Sequence, residues 1–211
     1  MAIASLRNFT VPLESGPGTN QGLLMPKLQY RFRVNFNGMG LPGSDAVELT
    51  KQVVSFNRPT VNFADVDLHV YNSTVKIAGK HSWTDISMTI RDDINNNIVR
   101  KVGEQMQKQF DFINQSSARS GRDYKFSMFC QILDGANGAF NPEVIEQWDI
   151  VGAYIKEVNY QELNYANSDA VTIQMSIRYD NATQSVSSPG GVGIGQFVGR
   201  TRGDTASGAG I

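Results

Sequence analysis

Cysteine and histidine are nearly missing from this chain. Cys130 is the one cysteine, and His69 and His81 are the two histidines, among 211 residues. No intramolecular disulfide framework can form, and no cluster of thiolate or imidazole ligands exists for a zinc site or a Cys-His nucleophilic pair. Charge of one sign is missing as well: 19 Lys and Arg stand against 20 Asp and Glu, which excludes bulk electrostatic capture of nucleic acid or of an anionic membrane. No run of about 18 consecutive apolar residues occurs, and the opening MAIASLRNFTVPLESGPG has no apolar stretch of signal-peptide length. The expectation is a soluble, unexported chain without membrane binding, whose sequons at Asn8, Asn72, Asn114 and Asn181 carry no glycan.

Catalytic and ligand-binding motifs are absent too. The glycine-rich PGGVGIGQFVG from Pro189 to Gly199 has neither the GxxxxGK[ST] nor the GxGxxG pattern, and it neither follows a strand nor opens a helix. Arg202 to Asp204 spell RGD inside a glycine-rich tail, a tripeptide that arises there easily by chance. Trp83 and Trp148 read as packing or interface anchors. Nowhere do a nucleophile, a base and an orienting group fall together, so the expectation is a protein that is not an enzyme, with no cofactor and no metal.

What the chain does have is alternation. Leu28, Tyr30, Phe32, Val34 and Phe36 alternate with Gln29, Arg31, Arg33 and Asn35, the period-two signature of a half-buried strand. Apolar residues return from Leu49 to Phe56, where Pro59 closes the run because it cannot donate to a sheet ladder. Two further strands surround an Asn72-Ser73 turn, and the apolar phase slips between Phe63 and Val66, which predicts a bulge or bend. Ile86, Met88 and Ile90 alternate ahead of Asp92 and Asp93. Tyr124 to Ile132 alternate around Cys130, predicting a buried cysteine. Strand-like runs follow at 143–150 and 154–163, and Val171 to Tyr179 alternate again.

Helical spacing is sustained once. Ile94, Ile98, Val102, Met106, Phe110 and Ile113 form one stripe on a helix expected over about residues 93–113, roughly 30 Å long. Asp92 and Asp93 stand where strand becomes helix. A carboxylate there accepts from the first free amides and favours the positive end of the dipole, so both are read as helix caps and not as metal ligands. The fold class is therefore mainly β: an antiparallel sandwich or small barrel of about seven or eight strands with one amphipathic helix. Composition divides the chain into an arm (1–26), a β-domain (27–183) and a Gly/Ser-rich tail (184–211).

The order of these elements is informative. An alternating first strand, a run closing at RP, a hairpin ending in KIAGKHSWTDISMTIRDD, an immediate helix and strands up to VTIQMSIRYDN resemble the tail tube protein of contractile-tailed, T4-like bacteriophages. The best-matching stretch is Gly79 to Asp93, and the resemblance spans about residues 24 to 182. It implies a non-enzymatic subunit of stacked hexameric rings, located in the virion after synthesis in the host cytoplasm. Those rings would form a conduit for DNA ejection, with tail sheath protein outside and tape-measure protein and, transiently, viral DNA in the lumen. Under that resemblance Phe9, Val61, Phe63, Val66, Leu68, Val70 and Tyr71 are the expected contacts between subunits or rings. Two related readings share the pattern: a low-copy, baseplate-proximal tube initiator and the tube-like protein of a type VI secretion system. A monomeric β-barrel that binds a small ligand belongs to a different class, and predicts a concentration-independent monomer with a closed apolar pocket.

Overall fold

The computed structural model describes residues 26–41, 47–134, 142–186 and 194. The chain divides into two units, Met1–Arg31 and Phe32–Ile211. In the first, the described residues form a turn closed by the Arg31 amide donating to the Leu28 carbonyl at 3.2 Å.

The second unit is built on one antiparallel sheet. In chain order its elements are β1 (Phe32–Asn37), α1 (Val47–Gln52), β2 (Val53–Phe56), β3 (Val61–Val70), β4 (Ser73–Trp83), β5 (Ile86–Arg91) and α2 (Asn97–Gln109). They are followed by β6 (Phe110–Asp111), β7 (Ser116–Ser117), α3 (Gly121–Tyr124), β8 (Phe126–Leu133), β9 (Val144–Asn159), β10 (Thr172–Arg178) and β11 (Asn181–Val186). The principal sheet has seven strands in the order β1-β8-β9-β10-β5-β2, with β11 paired to β9 as well. Among the described residues β3 and β4 pair only with each other.

β9 turns this sheet into two layers. Its first half pairs with β8 and β11, its second half with β10. Inward residues run Glu146, Trp148, Ile150 and then Ala153, Ile155, so the phase slips by one residue at Val151-Gly152. Gly152 has φ +71°, and a Cβ there would stand 2.1 Å from the Asp180 carboxylate. This bulge bends one strand from the first layer into the second. The sequence reads the same stretch as two separate runs because the inward register changes in its middle.

Between the layers lies a core in which Val34, Met88, Ile90, Met128, Ile150, Ile173, Met175 and Ile177 are buried. Trp148 is anchored there by donating from Nε1 to Glu146 at 2.8 Å, and Cys130 lies in the same core, where burial pushes its thiol up to about 12. α2 joins through Ile98 and Val102. It is shorter than the 93–113 expected. Asn96 adopts a left-handed conformation at φ 56° and Phe110 is extended at φ −150°, φ values that place both residues outside the helix. Ile94 and Ile113, which the stripe predicts on the buried face, are 97% and 86% exposed. Likewise the 49–56 run is split between α1 and β2, and Gln184 to Val186, read as tail from composition, lie within β11. No helix among the described residues is long and apolar enough to cross a membrane.

Candidate assembly surface

The β3–β4 hairpin leaves the principal sheet immediately before β5. Its register pairs Val61 with Trp83, Phe63 with His81, Val66 with Ile77 and Leu68 with Val75, with an irregularity between Phe63 and Asp65. Directly opposed residues share a face of the ribbon. Next to the core residue Trp83, Val61, Phe63 and His81 share one face, and farther out Val66, Ile77, Leu68, Val75 and Val70 form a single apolar row. Between the Phe63–His81 and Asp65–Ala78 pairs β4 holds two residues, Gly79 and Lys80, against Ala64 alone, so the bulge lies in β4. The unbroken alternation of β3 puts this outer row on the face away from Phe63, the structural form of the phase slip between Phe63 and Val66. Gly79 lies in that bulge: a Cβ on it would stand 2.8 Å from the Ala64 carbonyl oxygen and 3.1 Å from Val66 Cγ2. The opposite face carries Asp65, Asp67, His69, Thr74 and Lys76, with Lys76 Nζ 3.3 Å from Asp67 and His69 Nδ1 3.2 Å from the Thr74 hydroxyl.

Of the residues expected to make contacts between subunits, Val66, Leu68 and Val70 share the outer row, Val61 and Phe63 lie with Trp83 and His81 at the root, and Tyr71 forms the turn at φ 44°. Tyr71 is fully exposed, and Phe63, Val66, Leu68 and Val70 are about half exposed. Phe9 lies outside the described residues. Val75 and Ile77, on the returning strand, complete the row and are equally exposed. Their alternation was visible in the sequence, but only the register shows that they face the same way as Leu68. A two-stranded ribbon with an uncovered apolar face is marginal by itself in water, and this one is fixed at its root. Both the Thr84 amide and its hydroxyl donate to the Thr60 carbonyl, at 3.0 and 2.9 Å. Rings of Phe63, His81, Trp83 and Tyr179 follow one another at 6.3, 6.2 and 5.7 Å.

Next to the root, Asp85 accepts from Lys156 Nζ at 2.5 Å and Arg178 Nη1 at 2.6 Å. Its carboxyl is held below the usual range mainly by the hydrogen bond from Lys156, then by that from Arg178. The second layer, β2-β5-β10 with the end of β9, carries Ser55, Thr89, Gln174 and Asn159 in one row and Ser87, Ser176 and Glu157 in the next, on the face away from the core. On the first layer Arg33 donates to Gln131 at 2.7 Å, Gln131 to Gln147 at 2.6 Å and Gln147 to Asp149 at 2.5 Å, so a chain of amides links the guanidinium to a carboxylate. Both β1 and β2 end the sheet, each with one strand neighbour among the described residues.

At the predicted caps, Asp93 Oδ1 accepts from the Asn97 and Ile98 amides at 2.8 and 3.3 Å. Asp92 accepts from the Asp93 amide at 2.9 Å, and its own amide donates to the Val171 carbonyl. Among the described residues no group of three or more His, Cys, Asp or Glu side chains is arranged to hold a metal.

This architecture is that of the tube and tube-terminator proteins of contractile injection systems. No family model matches the chain, and no curated protein matches it. Solved structures do. A chain from the anti-feeding prophage cap, the tube-terminating cap, is similar at TM-score 0.58 and 14% identity, with 79% of this chain and 95% of that one covered. A chain from the sheath/tube terminator of the PVC extracellular contractile injection system is similar at TM-score 0.56 and 13% identity, covering 78% of this chain and 100% of that one. One from the PVC sheath-tube complex in its extended state gives 0.52 and 14%, with 76% and 92% covered.

Proposed function

We propose that this chain is a structural, non-enzymatic subunit of a phage tail tube, forming hexameric rings that stack into a hollow conduit for DNA. The observation that carries the reading is the β3–β4 hairpin, whose apolar row is uncovered along its length while its root is fixed to the core. The edges of β1 and β2, each with one strand neighbour among the described residues, add to it, because unpaired backbone groups at a sheet edge are satisfied by pairing with a neighbouring copy. The fold shared with tube proteins supports the same reading.

In this reading the β2-β5-β10-β9 layer forms the lumen wall and α2 lies on its apolar, outer side. The wall then presents hydroxyl and amide side chains together with Glu157 and Arg91, and Asp85 at its end is shared by Lys156 and Arg178. A lysine or arginine free to engage phosphate would add attraction, and hence friction, for a passing polyanion. Sheath protein outside, tape-measure protein inside and residence in the virion belong to the same proposal.

A second reading, the tube terminator, is favoured by the two higher TM-scores, 0.58 and 0.56, against 0.52 for the sheath-tube complex. The two readings separate in solution. Sedimentation and negative-stain microscopy of the purified chain at rising concentration are expected to show rings that join into tubes. Rings that never stack would support the terminator, and a monomer at every concentration would overturn both.

A further inference from the structure

The hairpin lies at one end of the second layer, and the opposite end carries a separate apolar surface. β5 runs from Ile86, next to the hairpin root, to Arg91, about 17 Å away at the rise of an antiparallel strand. At the Arg91 end the Asp92 amide donates to the Val171 carbonyl at 2.9 Å, which brings the start of the β5–α2 connection against the end of the β9–β10 loop. Ile94 and Val171 are exposed there, Ile94 almost completely. The loop itself, residues 160–171, displays Leu163 at 77% and Tyr165 at 112% exposure.

This loop is not loose chain. Asn159 Oδ1 accepts from the Gln161 amide at 2.9 Å, Asn164 Oδ1 from the Ala166 amide at 2.9 Å, and Asn167 Oδ1 from the Asp169 amide at 3.0 Å. Three successive Asx turns thus fix the backbone, and Gln161 Nε2 ties the loop to Gln174 on the strand at 3.2 Å. Order of this kind in a loop whose large side chains face solvent lowers the entropy lost when those side chains are buried by a partner.

Resting on the tube reading above, we propose that this end, with Ile94, Leu163, Tyr165 and Val171, is the receptor for the β3–β4 hairpin of a second copy. The second copy is the occupant because the chain carries both halves of the contact at opposite ends of the same strands. Unlike patches joined head to tail repeat without closing along that direction and build an open filament. The hairpin row supplies aliphatic side chains and the receptor supplies Leu163 with Tyr165. The joint needs no ion pair, so its strength is nearly independent of salt.

The test uses the full chain. In Leu68→Cys/Leu163→Cys, the two cysteines sit on exposed positions while Cys130 is buried, so mild oxidation is expected to produce a ladder of covalent multimers, absent from either single variant. Leu163→Asp is expected to leave rings intact and raise the protein concentration needed for stacking by about tenfold or more, the effect of losing one buried leucine-sized side chain. Unchanged circular dichroism checks that the variant is folded. Wild-type tubes in which the double variant gives no ladder, or Leu163→Asp tubes that form as readily as wild type, overturn the receptor assignment and leave the tube reading standing. Wild-type rings that do not stack, or a wild-type chain that stays monomeric, overturn the receptor assignment as well, and the monomer overturns the tube reading with it.

Discussion

The side-chain amide of Gln109 occupies both backbone groups of Ile155: Nε2 donates to the carbonyl at 2.8 Å and Oε1 accepts from the amide at 2.9 Å. β9 has parted from β8 at Ala153, so on that side Ile155 has a glutamine in place of a strand. The last residue of α2 thereby closes a sheet margin and fastens the helix to the layer it covers. In Gln109→Ala both groups lose their partner, and unfolding by urea is expected to show a loss of about 2–4 kcal/mol. Gln109→Glu keeps an acceptor but no donor and is expected to fall between.

Gly152 permits the bend in β9. Ala in its place must hold φ +71° and clear the Asp180 carboxylate, a carboxylate that also binds Lys125 at 2.6 Å. Gly152→Ala is expected to cost at least about 2 kcal/mol, from left-handed strain together with displacement of that pair. Thermal unfolding measures it, and an unchanged midpoint would show that the bend does not depend on glycine.

Gly79→Val tests the hairpin without touching the core. The added side chain meets the Ala64 carbonyl and Val66 Cγ2 and must displace the strand pairing at the bulge, which disturbs the outer row of Val66, Leu68 and Val70. Global stability is expected to change little, because the outer hairpin is exposed, while assembly followed by light scattering is lost.

Acid and alkali act on different groups. The folded-state pKa of Asp85 is lowered by Lys156 and Arg178. Its contribution is therefore complete above the unfolded value of about 3.9 and disappears as pH falls through the folded one. Asp85→Asn is expected to cost about 1 kcal/mol near neutrality, a partly exposed pair being screened by solvent, and nothing at the acid limit. At the other extreme, burial raises both Cys130 and Tyr179 to about 12. Each contributes fully below its unfolded value, about 8.5 and 10, and loses that contribution as pH rises towards 12. Cys130→Ala is expected to flatten the alkaline decline that begins above pH 8.5.

Much of the second layer was legible because its strands have one apolar and one polar face: Ile173, Met175 and Ile177 could be assigned to the core from alternation alone. The irregularity of the β3–β4 hairpin was legible for the same reason, as a break in the apolar phase of β3. The ends of α2 were not, because side chains of aspartate set its surroundings. Asp111 accepts from the amides of Ile113 and Asn114 and from two side-chain amides, giving the backbone a turn in competition with another helical turn. An i, i+4 stripe cannot register that competition. The receptor surface was not legible for another reason: the strand-like run expected at 154–163 ends at Asn159, which leaves Leu163 with Tyr165 in a polar loop, and their significance comes from Asx turns and from the end of the sheet at which the loop lies.

The central claim is that this polypeptide is one segment of a wall, finished only by copies of itself. Cryo-electron microscopy of the assembled protein tests it most directly. The account predicts a hollow tube in which the β1 and β2 edges pair with neighbouring subunits, Thr89, Gln174 and Ser176 face the lumen, and α2 lies outside. A monomer with those edges unpaired at millimolar concentration, or a tube with α2 lining the channel, would contradict it.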